Sequence, residues 1–435
     1  MTGVLVLCEL LFQKALFSDW DKADFLREPG AYADIFEDKN ENIYSEEYWI
    51  LFYFFEREFR PPEHPQPLLG WVGNFDRNTL AHFDMDKVQG RIPVLLFGDS
   101  FSYCVGADCF QDILNADSAF ASKYYLLNYG VGGYGVDQIY LLAREVIPLY
   151  NDPIVIFGLM TRDMDRNILP FRTGQKPYFK KEGDELLLSG VPIEPKASYY
   201  VEDHMPDIDS YLYRFVRNTF RNFIPEDDPR TIEVKEKITE VNDGIMKKTR
   251  DLLQGSGHPF RYLVFSPVFR SEGEWREILI RDFMEENELP YIFTKDLFEA
   301  DSNYGVKEIR FFEQENGHPT TYQNQLISRE IWKCLMDSVY ASVVDSLNTE
   351  KYLEVRNTYK IGHLDYYKRK IRRDVAWLNS IAEKAKERGL STDSMITLDA
   401  IWLKGMDEKA REMGISLDSM IRLEAELQLK REINH

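Results

Sequence analysis

The chain has 435 residues, of which 73 are acidic and 53 basic, a formal net charge of −20. A chain this acidic repels a phosphate backbone, so a nucleic-acid partner is not expected, and no run of about 18 uninterrupted apolar residues is present to span a bilayer. The length suits two or three domains, and four scattered cysteines, Cys8, Cys104, Cys109 and Cys334, fall short of a disulfide framework, so all four read as packing residues.

In chain order, residues 3–17 are mostly apolar with Glu9 and Lys14 interrupting, which reads as an amphipathic packing helix, or else as a weak membrane contact. No basic leader or small-residue cleavage site frames this stretch as a signal peptide, which leaves the compartment open between cytoplasm and cell envelope. Residues 1–90 form an irregular lead-in with one or two helices, and four prolines between 60 and 70 force an extended path. Beyond it, five short apolar runs at 93–97, 125–131, 153–160, 260–268 and 289–293 alternate with helical spacing, as at 137–150. Continuous apolar strands between helices predict an α/β fold, a doubly wound parallel sheet of about five strands of the flavodoxin-like kind, with its site beyond the carboxyl ends of the strands. Roughly ninety residues separate the third run from the fourth, too many for a simple connection. They predict an insertion at about 165–255 with a hairpin over 178–192 and a helix near 230–254. A helix over 325–339 closes a domain of residues 91–348.

Residues 349–435 differ in charge: residues 350–435 carry a net +2 and the rest −22. They contain an internal repeat, in which 383–400 matches 408–425. Gly389 and Gly414 suit helix stops, Ser391 and Ser416 suit helix starts, and Asp393 and Asp418 favour the first turn. Two helical units make either a packing appendage or a contact for a protein partner or for self-association through residues 374–433.

Three segments carry polar chemistry. The first strand runs into Gly98-Asp99-Ser100, which sets a hydroxyl and helix-start amides beyond the sheet edge, where a nucleophile with a ready oxyanion donor belongs. The second runs into Asn128-Tyr129-Gly130-Val131-Gly132-Gly133, whose missing side chains let backbone N–H groups approach a ligand. Its glycine spacing follows the wrong strand for a dinucleotide, and no phosphate-loop motif occurs. Near the end, Glu315-Asn316-Gly317-His318-Pro319 places a carboxylate three residues before a histidine, where it can set the imidazole tautomer. Neither histidines nor cysteines stand at metal-ligand spacing, so neither a metal nor another cofactor is expected.

Together these segments resemble the SGNH (GDSL) hydrolase family over about residues 91–345. The resemblance implies Ser100 as nucleophile, His318 as base and Glu315 as the orienting acid, with Asp301 or Glu313 as alternative acids or a bare serine–histidine dyad. It implies an oxyanion hole from the amides of Ser100 and Gly133. The family's third block supplies an asparagine donor. In the corresponding stretch here, Gly158 to Asn167, Thr161 or Arg162 stands closest to that place, and Asp163 and Asn167 belong either to a substrate loop or to a salt-bridged one. The implied activity is hydrolysis of acyl esters, foremost acetyl, on a small molecule or a glycan. O-acyl transfer at the same site, or a non-catalytic scaffold whose repeats bind a partner, are the alternatives. The insertion's aromatics, Phe171, Tyr178, Phe179, Tyr199 and Tyr200, either stack on a sugar or form the insertion's own core.

Overall fold

A computed structural model describes residues 2–18, 21–38, 41–55, 62–183, 185–219, 229–266, 274–304, 306–308, 311–315, 317–335, 364–413, 415, 417 and 419–425. The chain forms two units: Met1–Phe269, Phe283–Lys295 and Glu308–Leu335 make the larger, and Arg270–Asp282, Asp296–Lys307 and Met336–His435 the smaller.

The lead-in belongs to the larger unit. It comprises α1 (Thr2–Leu16), a hairpin of β1 (Ile35–Asp38) and β2 (Glu41–Tyr44), and α2 (Glu46–Phe55). Helix α1 packs only through its later turns. Leu16 is fully buried and Phe12 joins it against Tyr32, Leu51 and Tyr211, whereas Val4, Leu5, Val6, Leu7, Leu10 and Leu11 are exposed. The packing helix expected from the sequence is thus realised over half its length. Among the described residues no helix is long and apolar enough to cross a membrane.

The chain continues through β3 (Ile92–Gly98), α3 (Ser100–Tyr103), α4 (Phe110–Ala116), α5 (Ser118–Ala121), β4 (Tyr124–Gly130), α6 (Val136–Val146), β5 (Ile154–Met160) and α7 (Asp163–Arg166). The insertion holds β6 (Tyr178–Glu182), β7 (Glu185–Ser189), α8 (Ala197–Asp203), α9 (Tyr211–Thr219) and α10 (Pro229–Gly255). After it come β8 (Phe260–Phe265), α11 (Trp275–Glu286), β9 (Tyr291–Phe293), α12 (Thr294–Glu299) and α13 (Thr321–Leu335).

The five apolar runs build one parallel sheet in the order β4-β3-β5-β8-β9. Every residue of β4 is buried, and β3 and β5 are buried after their first residue, as strands covered on both faces must be. The chain steps from β3 to β4 in one direction and from β4 back over β3 to β5 in the other. Right-handed crossovers then put the connecting helices on opposite faces. Helix α4 packs on β4 and α13, while α6 packs on β3, β5 and α10. This is the doubly wound, flavodoxin-like arrangement the pattern predicts. Its direction reverses at β3, which opens a crevice at the carboxyl end of that strand.

Two glycines let α3 close over the strand ends. A Cβ at Gly98 would lie 1.9 Å from the Ser102 Oγ, and one at Gly130 would lie 2.5 Å from the Tyr103 amide nitrogen. The closing helix starts at Thr321, four residues before the expected position, because Thr320 caps it: its carbonyl accepts from the Asn324 amide at 3.0 Å and its hydroxyl from the Gln323 amide at 3.4 Å. Residues 336–339 of the expected helix lie outside the described residues.

The insertion's hairpin is antiparallel, pairing Tyr178 with Ser189 and Glu182 with Glu185. Its aromatics do not form a core of their own. Phe171 is fully buried against Ile50 of α2 and Val201 of α8, with the Tyr200 ring stacked at 6.0 Å, whereas Tyr199 is exposed. Lead-in and insertion therefore share one apolar cluster.

Two of the four cysteines are not the packing residues that their scatter predicts. Cys104 and Cys109 form a disulfide. Cys104 adopts a left-handed backbone, φ 64°, and the turn after α3 brings the two Cα atoms to 5.2 Å, within bonding reach. A separation of five residues says nothing of that turn. Cys8 and Cys334 are free.

In the smaller unit, α14 (Leu364–Arg373), α15 (Val375–Arg388) and α16 (Thr392–Glu412) enclose Tyr367, Ile371, Ile381, Ala385, Ile396 and Leu403. Gly389 is left-handed at φ 67°, and the next amide, of Leu390, donates to the Ala385 carbonyl at 2.9 Å, which closes the helix end. Ser391 Oγ accepts from the Ser394 amide at 3.1 Å at the following helix start. The corresponding Gly414, Ser416 and Asp418 lie outside the described residues.

Candidate active site

Ser100 is the first residue of α3, at the carboxyl end of β3. Asp99 caps that turn: its carboxylate accepts from the Phe101 amide at 2.9 Å and from Ser100 Oγ at 3.3 Å. Ser100 Oγ lies 3.0 Å from His318 Nε2, and the Phe101 ring stands 5.1 Å from the imidazole.

His318 reaches the serine because its loop is tied to the turn after α3. Gln314 Nε2 donates to the Val105 carbonyl at 3.0 Å and to the Pro319 carbonyl at 2.6 Å. The Gln314 amide donates to the His318 carbonyl at 2.9 Å. Asp108 adds two ties, donating its amide to Thr321 Oγ1 at 3.1 Å and accepting from Asn324 Nδ2 at 2.9 Å. Glu315 sits in the tight turn between Gln314 and His318. Glu313 bridges to Pro319, and its Oε1 lies 3.7 Å from where a Gly317 Cβ would stand. Asp301 belongs to the smaller unit.

The glycine loop runs past the nucleophile at backbone distance. A Cβ at Gly132 would sit 4.0 Å from the Ser100 Cβ, and Trp71 Nε1 holds the Gly132 carbonyl at 3.0 Å. Gly133 has φ +83°, and a Cβ there would meet Thr173 Oγ1 at 2.4 Å. Only glycine fits, because a tight turn closed by the Phe171–Gln175 bridge rests on this residue.

The third block is organised differently. The Thr161 amide donates to the Phe265 carbonyl at 3.0 Å and its hydroxyl faces the Met160 sulfur at 3.9 Å. The Arg162 amide donates to the same sulfur at 3.1 Å. Asn167 is fully buried and engaged in the scaffold: Oδ1 accepts from the Asp137 amide at 3.1 Å and Nδ2 donates to Asn242 Oδ1 at 2.6 Å. Asp163 is also fully buried, accepting from the Met160 amide at 2.9 Å and from Arg166 Nη1 at 2.5 Å. Arg166 Nη1 lies 3.7 Å from Asp99 Oδ2, so one guanidinium faces both carboxylates. Burial, and then the neighbouring Asp99 charge, push the Asp163 carboxyl well above the usual range.

Arg172 also adjoins the glycine loop. Its guanidinium lies 4.3 Å above the Trp49 ring of α2, and Nη1 donates to Thr173 Oγ1 at 2.9 Å. That nitrogen is also 3.3 Å from the Gly133 Cβ position. Burial, and then repulsion from Arg166, pull its pKa down to about 9. Nothing in the sequence marks this arginine among 53 basic residues. Among the described residues no cluster of three or more His, Cys, Asp or Glu could hold a metal ion.

No family model matches the sequence, and no curated protein matches it. Solved structures do match. Axe2, an acetylxylan esterase from Geobacillus stearothermophilus, is 12% identical over 56% of this chain and 93% of its own, with a TM-score of 0.30. A member of the lipolytic protein G-D-S-L family from Veillonella parvula is 11% identical over 56% and 98%, also at 0.30. LAE5, an alpha/beta hydrolase enzyme from the metagenome of Lake Arreo, is 14% identical over 57% and 97%, at 0.31.

The chemistry follows from this chain's own side chains. A hydroxyl within hydrogen-bond reach of an imidazole, beside backbone amides at a helix start and a glycine loop, is equipped to form and break an acyl–oxygen bond. What the geometry brings to Ser100 is His318, Asp99 and the glycine loop. What it assigns to the scaffold behind them is Asp163, Arg166 and Asn167.

Proposed function

We propose that the protein is a serine esterase acting on acyl esters, with acetyl esters of small molecules or carbohydrates as its substrates. The 3.0 Å contact between His318 Nε2 and Ser100 Oγ carries this reading. His318 takes the hydroxyl proton as Oγ attacks the ester carbonyl. The amides of Ser100 and of the Gly132–Gly133 segment face the oxygen on which negative charge develops. Collapse expels the alcohol, which receives the proton from the imidazolium, and leaves the acyl group on Ser100. Water, deprotonated by His318, then releases the acid and restores the serine. A sugar hydroxyl in place of water turns the same cycle into O-acyl transfer.

The test uses a fluorophosphonate probe alongside 4-nitrophenyl acetate. The wild type should label on Ser100 and turn over the ester, and Ser100→Ala should do neither. Equal labelling of both proteins, or a wild type that neither labels nor turns over, sinks the assignment and favours a non-catalytic scaffold.

Glu315 is assigned the orienting role. Glu315→Gln keeps the volume and removes the charge that stabilises the imidazolium, so kcat should fall by about 10³–10⁴ with an unchanged thermal midpoint. Glu313→Gln measured beside it decides between the two carboxylates: loss in Glu313→Gln alone would move the role one bridge position away.

A further inference from the structure

We propose that Arg172 is the anion-recognition residue of this site, and that the preferred ester carries a carboxylate or phosphate group; this rests on the esterase reading of the Ser100 crevice.

Position is the first support. Arg172 belongs to the turn that rests on Gly133, with Nη1 3.3 Å from the Gly133 Cβ position, and the adjacent Gly132 passes 4.0 Å from the Ser100 Cβ by the same measure. The guanidinium therefore stands in the wall of the crevice that holds the nucleophile. Charge is the second support. Burial, and then the Asp99 charge, push the Asp163 carboxyl upward, and Arg166 is the cation that faces both carboxylates, with Nη1 2.5 Å from Asp163 Oδ1 and 3.7 Å from Asp99 Oδ2. Lys176 and Asp137 neutralise one another at 2.5 Å. Among the described residues no carboxylate pairs closely with Arg172, and the charges of Asp163 and Asp99 reach it only from farther off.

The third support is how the group is held. The Trp49 face fixes one side of its plane and the Thr173 hydroxyl takes one N–H. Its Nε is buried with no hydrogen-bond partner. A guanidinium has five N–H donors in a planar fork that matches carboxylate and phosphate oxygens. Held on an aromatic face with donors to spare, it is organised for an incoming anion. A protein of net charge −20 repels anionic ligands at long range, so a local cation is what would admit one.

The experiment compares phenyl acetate with two anionic analogues, 4-acetoxybenzoate and 4-acetoxyphenyl phosphate, in wild type, Arg172→Met and Arg172→Lys. The ratio of kcat/KM for an anionic ester to that for the neutral one should fall about 10- to 100-fold in Arg172→Met, the range of a charged hydrogen bond. The change should lie mainly in KM, and Arg172→Lys should restore part of it. The larger ratio tells carboxylate from phosphate. A ratio unmoved by Arg172→Met overturns the proposal, and so does an equal kcat loss on all three esters in that variant, which would make Arg172 an oxyanion donor. Should Arg172→Met not fold, inhibition of the wild type decides: benzoate or inorganic phosphate must compete at least about tenfold better than benzamide, and equal inhibition rejects the idea. Ser100→Ala on the same esters keeps the outcomes apart, because hydrolysis undiminished in that variant defeats the esterase reading itself.

Discussion

His318→Ala should lower kcat on 4-nitrophenyl acetate by about 10⁶, as far as Ser100→Ala, and the double variant should be no slower than either single one. The reason is that the two groups act on one proton. With the imidazole gone, Ser100 Oγ keeps only the Asp99 carboxylate at 3.3 Å, and that carboxylate is already engaged by the Phe101 amide at 2.9 Å and faces Arg166. The loop should survive the substitution, because Gln314, not the imidazole, ties it to Val105 and Pro319. A thermal midpoint within a few degrees of wild type should therefore accompany the lost rate. Additive losses in the double variant would mean that serine and histidine do not work as one unit, and the proposed cycle would fail.

What the sequence made legible is what local pattern controls. The five sheet strands were readable because each is a run of apolar residues buried on both faces, and the reversal at β3 placed Ser100 at the crevice without any side-chain information. The hairpin β1–β2 was not readable: Ile35–Asp38 and Glu41–Tyr44 mix charged and apolar residues and lack the alternation of a longer strand. The disulfide depends on a left-handed Cys104, a backbone state that composition does not announce. The charged stretch around Asp163 reads equally as a substrate loop or a salt-bridged one, and only the turn of α7 brings Asp163 and Arg166, three residues apart, together. Asn167 has the right chemistry for an oxyanion donor, but the packing of α6 against α10 engages its amide. Arg172 is the opposite case. Its meaning comes from Trp49, more than a hundred residues earlier, and from Gly133 beneath it. Such a site forms only when lead-in, glycine loop and insertion pack together.

Lys176→Met should destabilise the larger unit by about 3–5 kcal/mol, the cost of breaking a buried pair from one side. Lys176 and Asp137 are both fully buried, with Nζ 2.5 Å from Oδ2. Burial works against each charge, lowering the Lys176 pKa and raising that of Asp137, and the partner is the chief compensation for both. Nζ also donates to the carbonyls of Arg166 at 3.0 Å, Leu169 at 3.3 Å and Pro177 at 2.6 Å. Methionine fills the space and leaves those three acceptors and a buried carboxylate unanswered. Asp137 stands in the first turn of α6, directly after the glycine loop, and Lys176 follows the turn that presses Arg172 and Thr173 onto Gly133. The pair thus fastens the two walls of the crevice, and the ester-hydrolysing rate should fall together with stability. Urea unfolding at constant slope measures the first, and turnover of 4-nitrophenyl acetate the second. Adding Asp137→Asn removes the stranded charge and should return much of the lost stability. A single variant that loses less than about 1 kcal/mol would place the pair among weakly coupled surface bridges, and the clamp between glycine loop and insertion would have to lie elsewhere.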